Sequence, residues 1–320
     1  MEKVLYTCDL CKKYGRNEVL HKVNLTVNKG EIYGLVGKNG AGKTTLMKLV
    51  LLLESITDGE AFLFDSKSVA DNRKLFSKLG ALIETPAFYP YMSATQNLEY
   101  YRILKGLSKS ECKIDELLEI VGLSRVGEKK YKSFSLGMKQ RLGIALALMG
   151  KPELLILDEP INGLDPVGIK EIRDVLIRYN KEYGTTILIS SHILSELSQL
   201  ATKYGFLHRG VLMEEITAAD IAKKSQSCLS ITVKNVEDAK RVLKEKLFCD
   251  DVREYVNGEL RIYNCSQEAN IITRTLTNND IDIYSVSNVC DRLEDYYLNL
   301  IGHENENDHG GEEDAETYQR

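Results

Sequence analysis

No stretch of this 320-residue sequence is apolar for long enough to cross a bilayer. The longest apolar runs, LMKLVLLL at 46–53 and LGIALALMG at 142–150, fall well short of the roughly 20 residues that a spanning helix requires. The start, MEKVLYTCDL, has no apolar segment behind a basic end, so no secretory signal and a cytosolic location are expected. Cysteine is scarce and scattered. Seven residues, an odd number, argue against a disulfide framework and suit the same compartment. Cys8 and Cys11 form a lone CxxC in a strand-like stretch; without a second pair or a nearby His it reads as two ordinary thiols, not a metal or redox site.

A basic excess is missing as well. Of the net charge of −5, the tail 303–320, HENENDHGGEEDAETYQR, carries −6 and the rest of the chain +1. So neutral a body does not suit a domain whose main task is gripping nucleic acid. The tail lacks bulky aliphatic residues and is expected to be acidic and disordered.

What is present is an alternation of strand and helix signals. EIYGLVG (31–37) reads as a strand, Lys43 to Leu53 as a helix, GEAFLFD (59–65) and ALIE (81–84) as further strands. From Ser93 to about Val121 the pattern is helical throughout, and Ser93 and Gln96 have capping-box spacing. Alternation resumes with ELLILDEP (153–160), a helix from about Val167 to Tyr183, and the strand TTILISS (185–191). Strands linked by crossover helices imply a parallel sheet covered on both faces. After about Glu215 the logic restarts: CLSITVKN, ELRIYN and IDIYSVS read as strands, VEDAKRVLKEKL, SQEANIITRTLTN and RLEDYYLNLIG as helices. This second, smaller α/β domain holds no catalytic constellation, and structural or regulatory work is its default reading.

Chemistry concentrates in GKNGAGKTT, which matches G-x-x-x-x-G-K-[ST] directly after a strand and before a helix. The backbone of Gly37, Lys38, Asn39, Gly40, Ala41 and Gly42 can approach phosphate oxygens, and the helix beginning near Lys43 points its positive end at the anion. Lys43 neutralises the β and γ phosphates; the Thr44 hydroxyl, followed by Thr45, suits Mg²⁺. The partner of such a loop is an acid at the end of a buried strand, and LLILDEP supplies two. Asp158 is placed to hold Mg²⁺ through water. Glu159 is placed to accept a proton from an attacking water.

A phosphate loop alone fits kinases, GTPases and helicases. FSLGMKQR narrows the choice, because it precedes an apolar helix that in turn precedes the acidic strand. Ser135 and Gly137 then stand at a helix N-terminus, where free N–H groups attract an anion. This order resembles the signature segment of the ATP-binding-cassette family, in which such a Ser and Gly bind the γ-phosphate held by a second copy. The resemblance covers roughly residues 3 to 215. It implies that Asp165 of PINGLD is the acid of the loop at the dimer interface, that His192 contacts the γ-phosphate and holds the water, and that Tyr14 stacks on adenine.

Two departures from the family pattern stand out. The signature reads Phe134-Ser135-Leu136-Gly137-Met138 where Leu-Ser-Gly-Gly-Gln is usual, yet the phosphate-facing Ser and the second Gly remain. Glu84 replaces a Gln that reaches Mg²⁺, so its carboxylate either binds the metal directly or repels the γ-phosphate.

The implied fold is α/β: a P-loop NTPase domain at 1–218 with a helical insertion at about 86–150, an accessory α/β domain at 219–302 and the tail at 303–320. IETPAFYP, the small C-terminal domain and its ending resemble the bacitracin and lantibiotic resistance branch. The expectation is an ATP- and Mg²⁺-dependent ATPase on the inner face of a bacterial membrane, homodimeric when ATP is bound. It drives a separate permease that exports a peptide antibiotic or other amphipathic compound. Phe88, Tyr89 and Tyr91 either offer that permease a docking groove or pack the helical insertion. The competing reading is a cassette ATPase acting on nucleic acid or the ribosome, whose relatives carry a coiled coil, zinc modules or two cassettes, none of which occurs in this sequence.

Overall fold

The computed structural model describes residues 2–64, 66, 73–84, 87–224, 227–263, 267–290 and 293–308. Two compact units divide the chain, Met1–Ala218 and Ala219–Arg320. Among the described residues no helix is long and apolar enough to cross a membrane.

The first unit opens with β1 (Lys3–Tyr14), β2 (Asn17–Val23), β3 (Thr26–Asn28) and β4 (Ile32–Val36), then α1 (Lys43–Val50), β5 (Asp58–Leu63), α2 (Arg73–Ser77) and β6 (Leu79–Leu82). A helical segment follows, with α3 (Ala94–Leu104), α4 (Ile114–Ile120) and α5 (Leu136–Leu148). The unit closes with β7 (Leu154–Leu157), α6 (Pro166–Tyr183), β8 (Thr186–Ser191), α7 (Leu194–Leu197), β9 (Lys203–His208) and β10 (Val211–Thr217).

One sheet has the order β10-β9-β4-β8-β7-β6 and is parallel apart from the β9–β10 hairpin. Every residue of β7 and β8 is buried, as in a strand covered on both faces. The alternation implied that 59–65 joins this sheet, but β5 instead pairs antiparallel with β1 in a second sheet that also holds β2 and β3. The cause is the long β1, which turns back into β2 without a crossover helix and offers β5 an edge. There the rings of Tyr6 and Phe62 lie directly opposite and stack at 4.6 Å, a cross-strand pair of the kind that sets register. Leu5, Leu20, Leu35, Leu46, Leu49 and Leu63 form one buried core joining both sheets to α1.

In the second unit α8 (Ala218–Lys224) leads into β11 (Ser227–Val233), α9 (Val236–Leu247), β12 (Asp251–Glu254), β13 (Glu259–Tyr263), α10 (Ala269–Thr277), β14 (Ile283–Cys290) and α11 (Leu293–Asp308). Its sheet is wholly antiparallel with order β12-β13-β11-β14. That βαββαβ order is the ferredoxin-like, split-βαβ arrangement. Ile231, Leu260 and Ile262 pack against Leu243, Leu247, Ile272 and Leu276 of α9 and α10. On the other face Arg261 meets Asp295 of α11 at 2.6 Å.

Two features of this unit go beyond what the sequence implied. Cys249 is disulfide-bonded, whereas the scattered cysteines had argued only against a disulfide framework, and Cys8, Cys11 and Cys112 are free thiols. α11 runs to Asp308, six residues into the stretch expected to be tail, because a helix already anchored by buried Leu293, Tyr297 and Ile301 extends at little cost per residue. The rest of the tail, 309–320, lies outside the described residues.

Candidate nucleotide site

Strand register assembles the site. In the parallel sheet Val36 pairs with Ser191 and Leu157 with Ile189, so the chain leaves β4, β7 and β8 at one edge. Gly37 therefore emerges beside His192, and Asp158 beside Ser190. The carboxyl ends of neighbouring parallel strands are where open α/β sheets bind ligands.

Gly42 caps α1 with φ 106°, a left-handed conformation that a side chain resists. The loop before it lines a cavity of about 260 Å³ with Val19, Asn39, Gly40, Ala41, Gly42, Lys43, Thr44, Thr45 and Glu159. Lys43 is buried, and its Nζ donates to Gly37 O at 2.6 Å and lies 3.2 Å from Glu159 Oε1. Thr44 Oγ1 donates to Asp158 Oδ2 at 2.7 Å, and Ser190 Oγ donates to Asp158 Oδ1 at 2.6 Å. The same Ser190 oxygen accepts from Glu159 N at 2.9 Å. Glu159 itself adopts φ 47°, a sparsely populated region for a non-glycine residue. In that posture its Oε2 lies 2.8 Å from His192 Nδ1. One carboxylate thus stands between a buried lysine and a histidine, in the lining of that cavity.

Other candidates stand outside this cavity. Ser135 caps α5, its Oγ accepting from Met138 N at 3.3 Å, and Gly137 follows in the first turn. Leu136, between them, is 61% exposed. A Cβ at Gly163, where φ is 75°, would come within 2.6 Å of Leu136 Cδ2; the Leu occupies room that this glycine leaves. Asp165 caps α6 and accepts from Gly168 N at 3.1 Å. Tyr14 is exposed at the end of β1, with its hydroxyl on Glu54 and Lys12 Nζ 4.8 Å from its ring. Glu84 does not join Thr44 and Asp158 in the described hydrogen bonds; its Oε1 is held by Lys48 Nζ at 2.7 Å.

Phe88 is buried against Tyr101 and Tyr131 and belongs to the packing of the insertion. Tyr89 and Tyr91 are exposed. Ser190 was not singled out from the sequence, although a hydroxyl residue inside the apolar strand ILISS was a visible signal.

The sequence profile of the family described as ABC transporter matches residues 20–162. The bacitracin transport ATP-binding protein BcrA of Enterococcus faecalis is 45% identical over 303 residues, 94% of this chain and 97% of that protein. The chain belongs to the ABC transporter family. Its similarity to the BcrA of Bacillus licheniformis is 39% over 94% of this chain and 98% of that one. With the lantibiotic transport ATP-binding protein SrtF of Streptococcus pyogenes it shares 45% over 65% of this chain and 88% of the other.

Among solved structures, an ATP-binding subunit of an ABC transporter matches with a TM-score of 0.63 at 30% identity, over 69% of this chain and 92% of that one. A dimeric ATP-binding cassette in a post-hydrolysis state, bound to ADP and phosphate, matches with 0.61 at 25% identity, over 67% and 98%. The fold is therefore that of an ABC ATPase.

Proposed function

We propose that this chain hydrolyses ATP to power a separate membrane permease that exports a peptide antibiotic or other amphipathic compound. We place it on the inner face of the membrane, paired with a second copy when ATP is bound. The observation that carries the reading is the Glu159 carboxylate held between Lys43 and His192, a base poised beside a phosphate loop. The cargo rests on relatives named for bacitracin and lantibiotic transport.

Backbone N–H groups of 39–45 cradle the phosphates, and Lys43 transfers its charge from Glu159 to them. Thr44 Oγ1 and Asp158 Oδ2, hydrogen-bonded at 2.7 Å, are hard oxygen donors side by side, and they fit Mg²⁺. Bound there, the cation would neutralise phosphate charge. Glu84, its charge engaged by Lys48, is not part of that pair. Glu159 takes the proton of the attacking water, a contribution of about 10²–10⁴ in rate. His192, held through Nδ1, keeps Nε2 for the γ-phosphate. Ser135 and Gly137 serve the nucleotide of the other copy, Asp165 caps the helix beside that interface, and Tyr14 stacks on adenine.

For the permease, Tyr89 and Tyr100 meet edge to face at 4.9 Å, and Tyr91, Ile103 and Leu104 are exposed nearby in sequence. Tyr100, Ile103 and Leu104 share one face of α3 by their spacing. The test uses the Glu159→Gln protein with ATP and Mg²⁺ as bait in detergent-solubilised native membranes. Recovery of a multi-span membrane protein, lost when Tyr91→Asp is added, is expected. Ribosomes or nucleic acid in its place would overturn the transport reading.

A further inference from the structure

Beside the phosphate loop runs a line of alternating charges that the reaction above does not use. Tyr14 Oη donates to Glu54 Oε2, and Lys12 Nζ lies 3.6 Å from the same oxygen. Lys48 Nζ is 3.9 Å from Glu54 Oε1 and 2.7 Å from Glu84 Oε1. The members come from four places in the chain: the end of β1, the last turn of α1, the turn after α1, and the residue two beyond β6. Lys48 follows Thr44 by one turn of the same helix, so it is rigidly tied to the phosphate-binding residues. Glu84 is fixed in a left-handed backbone conformation, φ 57°.

The hydrogen bond from Tyr14, with Lys12 and Lys48 nearby, holds the Glu54 carboxyl below the usual carboxylate range. The bond to Glu84 foremost raises the Lys48 ammonium above its ordinary value. Both therefore stay charged at neutral pH. A Gln at position 84 could accept a hydrogen bond but would not bring the charge, so the line depends on one of the positions at which this chain departs from the family pattern.

We propose that Lys48 and Glu54 are positioning residues that join Glu84 to Tyr14, so that a change at Glu84 is felt as a change in affinity for the nucleotide. Were Glu84 to withdraw, Glu54, whose Oε1 is 3.9 Å from Lys48 Nζ, would be the remaining carboxylate for that ammonium, and a carboxylate drawn toward Lys48 is drawn away from the Tyr14 hydroxyl on its Oε2. The ring then loses its hold. The proposal rests on the reading that Tyr14 carries the base.

Exposed ion pairs of this kind add little to stability, so the test is energetic coupling. The full-length chain is titrated with a fluorescent N-methylanthraniloyl ATP analogue in the variants Glu84→Gln, Glu54→Gln and the pair of them. A coupling of about fivefold between the two substitutions in Kd is expected, shrinking in high salt. Effects that multiply to within about twofold would overturn the relay. Repeating the cycle with Lys48→Met in place of Glu54→Gln guards against one poorly folding variant. Tyr14→Ala separates the two levels: unchanged affinity there would sink the Tyr14 assignment itself, whereas weakened affinity with an uncoupled cycle would sink the relay alone.

Discussion

A single hydroxyl orients both acids of the site. Ser190 Oγ donates to Asp158 and accepts from the backbone N–H of Glu159, and it is fully buried, so no water substitutes for it without a rearrangement. Ser190→Ala should leave a carboxylate oxygen and an N–H unpaired, lowering stability by about 1–3 kcal/mol. It should also lower turnover more than it raises KM for ATP, because Glu159 loses the contact that supports its strained backbone. Urea unfolding and steady-state ATPase assays read the two effects; normal kcat in the variant would mean that Glu159 needs no such support. At the same scale, the Lys43–Glu159 contact of 3.2 Å means that Glu159→Gln, besides removing the proposed base, also frees a cation. Freed of its partner, Lys43 should meet the phosphates more strongly, so this variant is expected to bind ATP more tightly while turning it over about 10²–10⁴ times more slowly. Equilibrium binding and single-turnover hydrolysis would show both.

Elements were legible where the pattern carries its own stop signals. Ser93 and Gln96 predicted a capping box, and α3 begins with both of its hydrogen bonds in place. Ser93→Ala should therefore cost about 1 kcal/mol, measured as a lower urea midpoint; an unchanged midpoint would mean that the buried Asn97, which bonds to Tyr89 and Ser93, holds the entry to α3 by itself. The strands after which the chemistry falls, β4, β7 and β8, were legible because burial on both faces makes them continuous apolar runs. β12 was not. Asp-Val-Arg-Glu has no apolar alternation, and only its place at the sheet edge, where charge is tolerated, makes it a strand. Nor was the partner of β5 visible, since pairing between β1 and β5 depends on residues some 50 positions apart. In the site, the motifs pointed to the loop and both acids and the family resemblance to the histidine, and the structure brings these residues together. The Lys43–Glu159 and Lys48–Glu84 contacts escaped notice because ion pairs between distant residues leave no periodicity in a sequence.

At the scale of the whole molecule, the proposed mechanism makes one copy hold only part of the site. The cavity over the phosphate loop is lined from β2, the loop itself, α1 and Glu159, and by neither Ser135 nor Gly137. Those two residues stand at the start of α5 beside an exposed Leu136, and Val167 is likewise exposed at the start of α6. Apolar side chains at two helix starts suit a surface that closes on another protein, and a related cassette of the same fold is dimeric. The Glu159→Gln chain should accordingly shift from 36.1 kDa to twice that mass in light scattering when ATP and Mg²⁺ are added, and remain monomeric with ADP. Adding Leu136→Asp to it should abolish the shift while leaving nucleotide binding to the monomer, because a carboxylate buried at that contact carries a desolvation cost with no partner. A dimer that persists without nucleotide would instead assign association to another surface. A monomer under every condition would remove the second copy from the mechanism and leave Ser135 without an anion to bind.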